Sequence, residues 1–366
     1  LAAKTKADIL ARHQANMALK APAPPPVSRH ARDLSADGMI SPLDERIIAA
    51  AADALEAGQT HYVDVPGIAP LRAALADYLN AAFGAHCETE NIIVTAGVQE
   101  SRFLSIQMIG AMYDSIGIPA VAHPGVQKAL GVRARRVVPL AADAERGYLP
   151  SPAAIADAVK RGCRLLYLES PARLSGAAYT DEDLAIISAA LREHDALAIW
   201  DQGLAPWVDG KYSSLAAFEE RPSLAAAIGE AWPGMGLASW FIGYIAAPAD
   251  QTPAMQSQKQ IMAICTSTAA QHAALEAANL FEEARAQKLT QLSRLRRDIS
   301  NAADALNLEA IAGDALNIMA LHAPEEAAAR LRGAGFDYAD GASFGAPAVI
   351  RLSVNTSTMN ALAALR

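Results

Sequence analysis

Ile199-Trp200-Asp201-Gln202-Gly203-Leu204, read together with the stretch from Gly229 to Tyr244, decides the fold. The run Ala196 to Trp200 (Ala-Leu-Ala-Ile-Trp) is apolar throughout and reads as a buried strand, with Asp201 at its C-terminal end. In open α/β sheets ligands bind outside the carboxyl ends of the strands. An Asp at such a place either caps a turn or a helix or faces a ligand. The segments around it decide between the two.

Working outward, strand-like and helical segments alternate. Upstream, Leu165 to Glu169 reads as a strand and Asp181 to His194 as a helix; Pro152 to Lys160 is a further helix. Short strands are expected at Asn91–Thr95, Ile118–Ala122 and Arg136–Leu140. Helices are expected at Leu43–Ala57, stopped by Gly58, at Ala69–Phe83 and at Gln99–Met112. Downstream, Phe241 to Ala246 is another apolar strand. This alternation predicts an α/β three-layer sandwich with a mainly parallel central sheet. Beyond Pro253 the pattern changes: Met255 to Leu306 is Ala-rich and helical, Ala315–Leu321 and Val349–Val354 read as strands, and Pro324–Gly333 as a helix between them. The expected organisation is an N-terminal helix and Pro-rich arm over residues 1–41, packing beside the small domain, a large domain over 42–252, and a smaller α+β domain over 253–366.

The composition narrows the function classes. A chain of 366 residues with 52% hydrophobic residues can bury a large core without disulfides or metal. A net charge of -8 disfavours a nucleic-acid binder, which needs a basic face. Three well-separated cysteines, Cys87, Cys163 and Cys265, read as free thiols of a reducing, cytoplasmic compartment. No apolar run reaches membrane-spanning length, and no secretory leader pattern is present, although the sequence begins at Leu1 rather than Met.

Four stretches carry possible chemistry, each with a plainer alternative. His61 to Arg72 is a Pro-Gly turn into an amphipathic helix, and by itself a helix start. Val94-Thr95-Ala96-Gly97-Val98-Gln99-Glu100 is a strand, a glycine turn and a helix start, which offers free N–H groups to an anion. Leu166 to Gly176 is a strand running into a loop with Arg173, either an anion-binding or a solvated surface residue. Val349-Ile350-Arg351-Leu352-Ser353 places an Arg inside an apolar strand, which is costly unless the charge is paired.

In this order the stretches resemble the fold-type-I, class I/II aminotransferase superfamily, whose members use pyridoxal phosphate (PLP). The resemblance runs from about Asp37 to the C-terminus and rests on Tyr62…Gly67…Leu71-Arg72, Thr95-x-Gly97-x-Gln99-Glu100, Ser170-Pro171…Gly176, Asp201, Gly236 to Tyr244, and the Gly341–Gly345 turn before Arg351. It implies that Asp201 partners the pyridine nitrogen and that Gly97, Val98 and Gln99 form the phosphate turn. It further implies that Tyr62 reaches the phosphate of a neighbouring subunit, and that Arg351 binds the carboxylate of an amino or keto acid. A homodimer with the site at its interface follows from the same resemblance.

Departures from the family pattern fall on the cofactor contacts. Arg173 stands where the family has an Asn, Leu204 where it has a Tyr, and Phe241 where it has the phosphate Arg. No aromatic residue lies at His123-Pro124-Gly125-Val126, where one is expected to stack on the ring. The Schiff-base Lys belongs eight residues before the phosphate Arg; that position is Pro233, and no Lys occurs between Lys211 and Lys259. A Lys between Pro233 and Gly234 would complete the pattern. Lys211 reads as solvated, Lys259 falls in the segment resembling the family's next helix, and His123 and His272, possible bases, read as structural or surface residues. No catalytic residue is assigned. The expected function is an aminotransferase-family protein acting on an amino acid or related carboxylate. The alternatives are a PLP-independent enzyme or small-anion binder using Arg173, Arg351, Asp201 and His123, and a noncatalytic dimer.

Overall fold

The computed structural model describes residues 33–36, 41–131, 136–218 and 224–365. The helix expected over residues 1–20 and the proline-rich arm that follows lie outside them. Helix α1 (Glu45–Glu56) starts on the Asp44 side chain, which accepts the Arg46 N–H, and Gly58 ends it at φ +76°. Then come α2 (Ala69–Phe83), β1 (Ile92–Ala96), α3 (Gly97–Leu104), β2 (Ser115–Pro119) and α4 (Pro124–Leu130). They are followed by β3 (Arg136–Leu140), α5 (Pro152–Lys160), β4 (Leu165–Glu169), α6 (Asp181–Glu193), β5 (Leu197–Asp201), β6 (Leu224–Glu230) and β7 (Ile242–Ala246).

These seven strands form one sheet in the order β1-β7-β6-β5-β4-β2-β3. β7 runs antiparallel to both neighbours and the remaining pairs are parallel. β4 and β5 are buried on both faces, as parallel strands between two helical layers must be. Leu166, Leu168, Ala198 and Trp200 face one layer with α2, α5 and α6. Tyr167 and Ile199 face the other, beside Leu104 of α3, Ile106 and Ile109 of the turn after it, and Val126 of α4. The three-layer α/β sandwich expected from the sequence is therefore the fold.

Two helices lead out of the sheet: α7 (Thr252–Ala263) and α8 (Thr268–Asp304). The single Ala-rich helical region expected there is broken at Ile264, whose φ is +63°. α8 has 37 residues and is about 55 Å long. Its first half packs Ala270, Ala273, Ala274, Ala277 and Phe281 onto the large core, and its second half packs Leu292, Ile299 and Ala303 onto a second core. The second core lies under a four-stranded antiparallel sheet, ordered β10-β11-β9-β8. Its strands are β8 (Glu309–Ala310), β9 (Ile318–His322), β10 (Ala339–Asp340) and β11 (Val349–Ser353), with α9 (Glu325–Gly333) and α10 (Thr356–Ala364). Residues 33–36 run along β11: Ser353 N–H donates to Leu34 O, Leu34 N–H donates to Asp337 O, and Leu34 is buried in the second core.

The strand expected at Ile118–Ala122 begins earlier, at Ser115, so Val121 and Ala122 lie in the loop after β2. β6 replaces what the sequence leaves unassigned, because its Leu-Ala-Ala-Ala segment carries no alternation to mark it as a strand.

Candidate functional site

Alternation of side chains along parallel strands sets the centre of the site. In the register of β4 on β5, Glu169 lies beside Asp201 and Tyr167 beside Ile199. Tyr167, Glu169 and Asp201 thus share the face covered by α3 and α4. Asp201 is fully buried. Its Oδ2 accepts from Arg102 Nε (3.1 Å), Arg102 Nη2 (2.9 Å) and the Tyr167 hydroxyl (2.8 Å). Its Oδ1 accepts from Arg173 Nε (3.1 Å), Arg173 Nη2 (2.5 Å) and the Gly203 N–H (3.1 Å). Burial alone would push this carboxyl up, but the two guanidiniums and the Gly203 N–H outweigh it and hold Asp201 well below the usual carboxylate range.

Glu169 is in the opposite condition. Burial and the adjacent Asp201 charge push it up to about 7, against the pull of Arg102, the His123 N–H and Arg173. Its two oxygens accept the backbone N–H groups of His123 (2.8 Å) and Arg173 (3.2 Å), which ties the loops after β2 and β4 together. Burial also pushes the Tyr167 hydroxyl up, so at neutral pH it is an O–H donor to Asp201.

Arg173 is not the solvated loop residue of the plainer reading: it is buried, and the carboxylate it binds is that of Asp201. A Cβ at Gly203 would lie 2.0 Å from Arg173 Nη2, so the guanidinium occupies space that only a glycine leaves open. Arg351 is also buried; its Nη1 donates to Arg173 O (2.9 Å) and its Nη2 to Ser35 O (2.6 Å), and its guanidinium lies 5.1 Å from the Phe344 ring centre. It therefore pins β11 to the Arg173 loop and to the segment along that strand.

At the head of α3, Gly97 takes φ +75° and the Phe241 ring lies against it: a Cβ built at Gly97 would be 3.5 Å from Phe241 Cδ1. Gln99 turns away, donating to Gly125 O (3.0 Å) and accepting from Arg102 Nη1 (3.4 Å). The Glu100 carboxylate accepts the Ala96 N–H and pairs with Lys259, whose Nζ lies 3.1 and 3.2 Å from its oxygens and 3.2 Å from Thr266 Oγ1. Lys259 is wholly buried. Lys211 is exposed on Asp181, as expected of a solvated residue. His123 Nδ1 accepts from Gly125 N–H, which caps α4. Tyr62 is 79% exposed and meets none of these groups within the chain.

Asp201, Arg173, Arg351 and the turn of Gly97, Val98 and Gln99 are thus brought to one end of the sheet. Arg102 is the residue missed by sequence reasoning. A signal for it exists: Arg102, Ile106 and Ile109 share the buried stripe of one helical segment, where a charge demands a partner. Glu169, the last residue of the strand expected at Leu165–Glu169, is a second missed residue, and its place beside Asp201 comes only from the register.

A mainly parallel α/β sandwich with a carboxylate at the end of β5, a glycine turn at the end of β1 and a separate α+β unit defines a transferase of the PLP fold-type-I class. The family model for aminotransferase class I and II matches residues 34–366, and the chain belongs to that family. It is 30% identical over 335 residues to an aspartate/prephenate aminotransferase of Thermus thermophilus, covering 88% of this chain and 86% of that one. An arginine–pyruvate transaminase of Pseudomonas aeruginosa is 25% identical over 60% of this chain and 55% of its own. Among solved structures, an aspartate aminotransferase of Thermus thermophilus with maleate is similar with a TM-score of 0.80 and 25% identity, covering 99% of this chain and 96% of that one.

This family normally uses PLP, and the residues present bear on the fit. A buried, ionised Asp201 suits a protonated ring nitrogen. Both of its oxygens, however, are already filled by guanidiniums, Tyr167 and Gly203. The turn Trp232–Met235, closed by Met235 N–H on Trp232 O, holds Pro233 where the family Lys would stand, and the chain passes from Pro233 to Gly234 with no Lys between them. Phe241, not an Arg, faces Gly97. The residues present do not fit a lysine-bound PLP at this place. Among the described residues no group of side chains is suited to a metal ion, and no helix is long and apolar enough to cross a membrane.

Proposed function

We propose that this aminotransferase-family protein takes an amino acid or related keto acid into the cleft at the ends of β1, β4 and β5, and recognises it by its carboxylate. The observation that carries the reading is the gathering of buried guanidiniums. Three buried guanidiniums, of Arg102, Arg173 and Arg351, share this end of the sheet with one firmly ionised carboxylate, Asp201, and with Glu169, which titrates near neutrality. Guanidinium groups bind a carboxylate through paired, charge-assisted hydrogen bonds, so their gathering at one place suits an acid as ligand. Arg351 is the group that reaches the substrate: its two Nη atoms rest on the carbonyls of Arg173 and Ser35, which a carboxylate replaces as a stronger acceptor. The relatives support the substrate class. Aspartate, prephenate, arginine and pyruvate differ widely in their side groups but share a carboxylate next to the amino- or keto-bearing carbon, and maleate is itself a dicarboxylate.

The protein's own residues bind, orient and hold protons in this scheme. Tyr167 keeps its O–H on Asp201, and Glu169 is a buried carboxyl that exchanges a proton near neutral pH. PLP supplies an electron sink when bound in the family. The working unit is a homodimer: Tyr62, Ile261, Met262 and Ile264 are large, exposed and gathered about the start of α8, where Thr268 Oγ1 donates to His61 O. The thiols of Cys87, Cys163 and Cys265 are free, in keeping with the cytoplasm.

Calorimetric titration with α-amino and α-keto acids, beside the matching amides, tests the reading. Saturable binding by the acids, weakened about tenfold or more in Arg351→Gln, is the expected result. Equal binding of acids and amides would dismiss it. A monomer in sedimentation would dismiss the dimer alone.

A further inference from the structure

Two sets of buried charges lie at this end of the sheet, one on Asp201 and one at the head of α3, and the family resemblance puts each where the cofactor presents a charge. On Asp201, six donors converge on two oxygens: Nε and Nη2 of both Arg102 and Arg173, the Tyr167 hydroxyl and the Gly203 N–H. Two carboxylate oxygens offer about four lone-pair sites. No direction is left for a ring N–H to approach unless a guanidinium withdraws. Withdrawal is opposed on both sides. Arg102 is 3% exposed and packed among the apolar residues of the α3 face, and Arg173 fills the space above Gly203. At the head of α3, the Ala96 N–H is taken by the Glu100 carboxylate, whose charge is matched by the wholly buried Lys259, and Phe241 lies on Gly97. An incoming phosphate would meet an aromatic ring and a carboxylate there.

We propose that the chain's own side chains have taken over the charges that PLP would bring: Arg102 and Arg173 stand for the pyridinium cation on Asp201, and Glu100, paired with Lys259, stands for the anion at the α3 turn. The cleft is then complete without the cofactor and closed to it. This is independent of which carboxylate the protein binds.

The test uses the full chain and PLP itself. PLP is titrated into the protein while its visible absorbance, the tryptophan fluorescence and the thermal midpoint are followed. Borohydride reduction and peptide mass mapping then locate any labelled lysine. The expected result is no saturable change in absorbance or fluorescence, no rise in midpoint and no stoichiometric label on any one lysine. Saturable one-to-one binding that raises the midpoint would overturn the proposal. A second arm uses Arg102→Leu/Arg173→Asn without PLP: its midpoint is expected to fall by roughly 5 °C or more, or the variant to fail to fold. A variant as stable as the parent would show that the guanidiniums do not complete the site, and would also overturn the proposal. Titration of amino and keto acids into the same PLP-free sample decides the carboxylate reading separately, so that either can fail alone.

Discussion

Replacing Asp201 by Asn separates a structural carboxylate from one that serves only a ligand. Asn is nearly isosteric, so the packing around β5 is kept while the charge is removed and one acceptor becomes a donor. In the folded protein that donor faces a guanidinium, and Arg102 and Arg173 lose the carboxylate that binds them both. Removing one partner of a buried ion pair costs about 3–5 kcal/mol. Here one carboxylate serves two cations, so the upper end is expected. For a chain of 366 residues the entropy of unfolding is roughly 0.8 kcal/mol/K, so about 5 kcal/mol lowers the thermal midpoint by about 6 °C.

Denaturant and thermal unfolding, followed by tryptophan fluorescence, provide the assay. Trp200 is wholly buried on β5 next to Asp201 and Trp207 lies in the second core, so fluorescence shows both transitions if the two cores unfold separately. Arg173→Ala and the double variant complete a cycle, in which a coupling of about 1–3 kcal/mol is expected between positions 173 and 201. A loss below about 1 kcal/mol for Asp201→Asn would refute the reasoning. It would mean that the carboxylate is not neutralised within the chain.

Glu169 gives a pH dependence with a definite sign. Its carboxyl is raised from 4.5 to about 7 in the folded state, so its contribution is fully present below pH 4.5 and is lost as the pH rises through 7, a change of about 3 kcal/mol. Glu169→Gln is expected to flatten the stability profile over that window in urea unfolding at several pH values, while costing about 1–3 kcal/mol at acid pH for a misplaced acceptor. Lys259→Met leaves Glu100 buried and unpaired and should cost about 3–5 kcal/mol, part of which Lys259→Met/Glu100→Gln regains in the same measurement. Gly203→Ala puts a methyl group 2.0 Å from Arg173 Nη2 and should displace that guanidinium; a crystal structure of the variant with Arg173 still on Asp201 Oδ1 would contradict this.

The seven-stranded sheet was legible in the sequence because most of its strands announce themselves. Leu165–Glu169 and Arg136–Leu140 are short runs bounded by turns, and helices such as Ala69–Phe83 carry a clear apolar face. β6 escaped because alanine satisfies a buried strand and a helix equally well, and the choice is made by its pairing with β5 and β7. Asp201 was legible as a strand-end carboxylate of consequence, and Arg351 as a charge that needs company inside an apolar strand. Their partners were not legible. Arg102 and Arg173 are separated from Asp201 by 99 and 28 residues, and only the register of β4 on β5 and the docking of α3 bring them together. Spacing in sequence carries no trace of that meeting.

The buried charges also explain why the departures from the family pattern must be read as a set. A guanidinium at position 173 needs a carboxylate to face and a residue without a side chain at 203. A second guanidinium at 102 would be an uncompensated charge in the apolar layer were Asp201 not there to share, and Asp201 can share because each oxygen has room for one fork of donors and one further N–H or O–H. With both forks seated, a covalent anchor at 233 and a cation at 241 would have nothing to hold, and the chain has Pro233 and Phe241 there. Three substitutions that look like separate losses in the sequence, at 173, 233 and 241, therefore follow from one electrostatic fact: the carboxylate at the end of β5 is already neutralised from within.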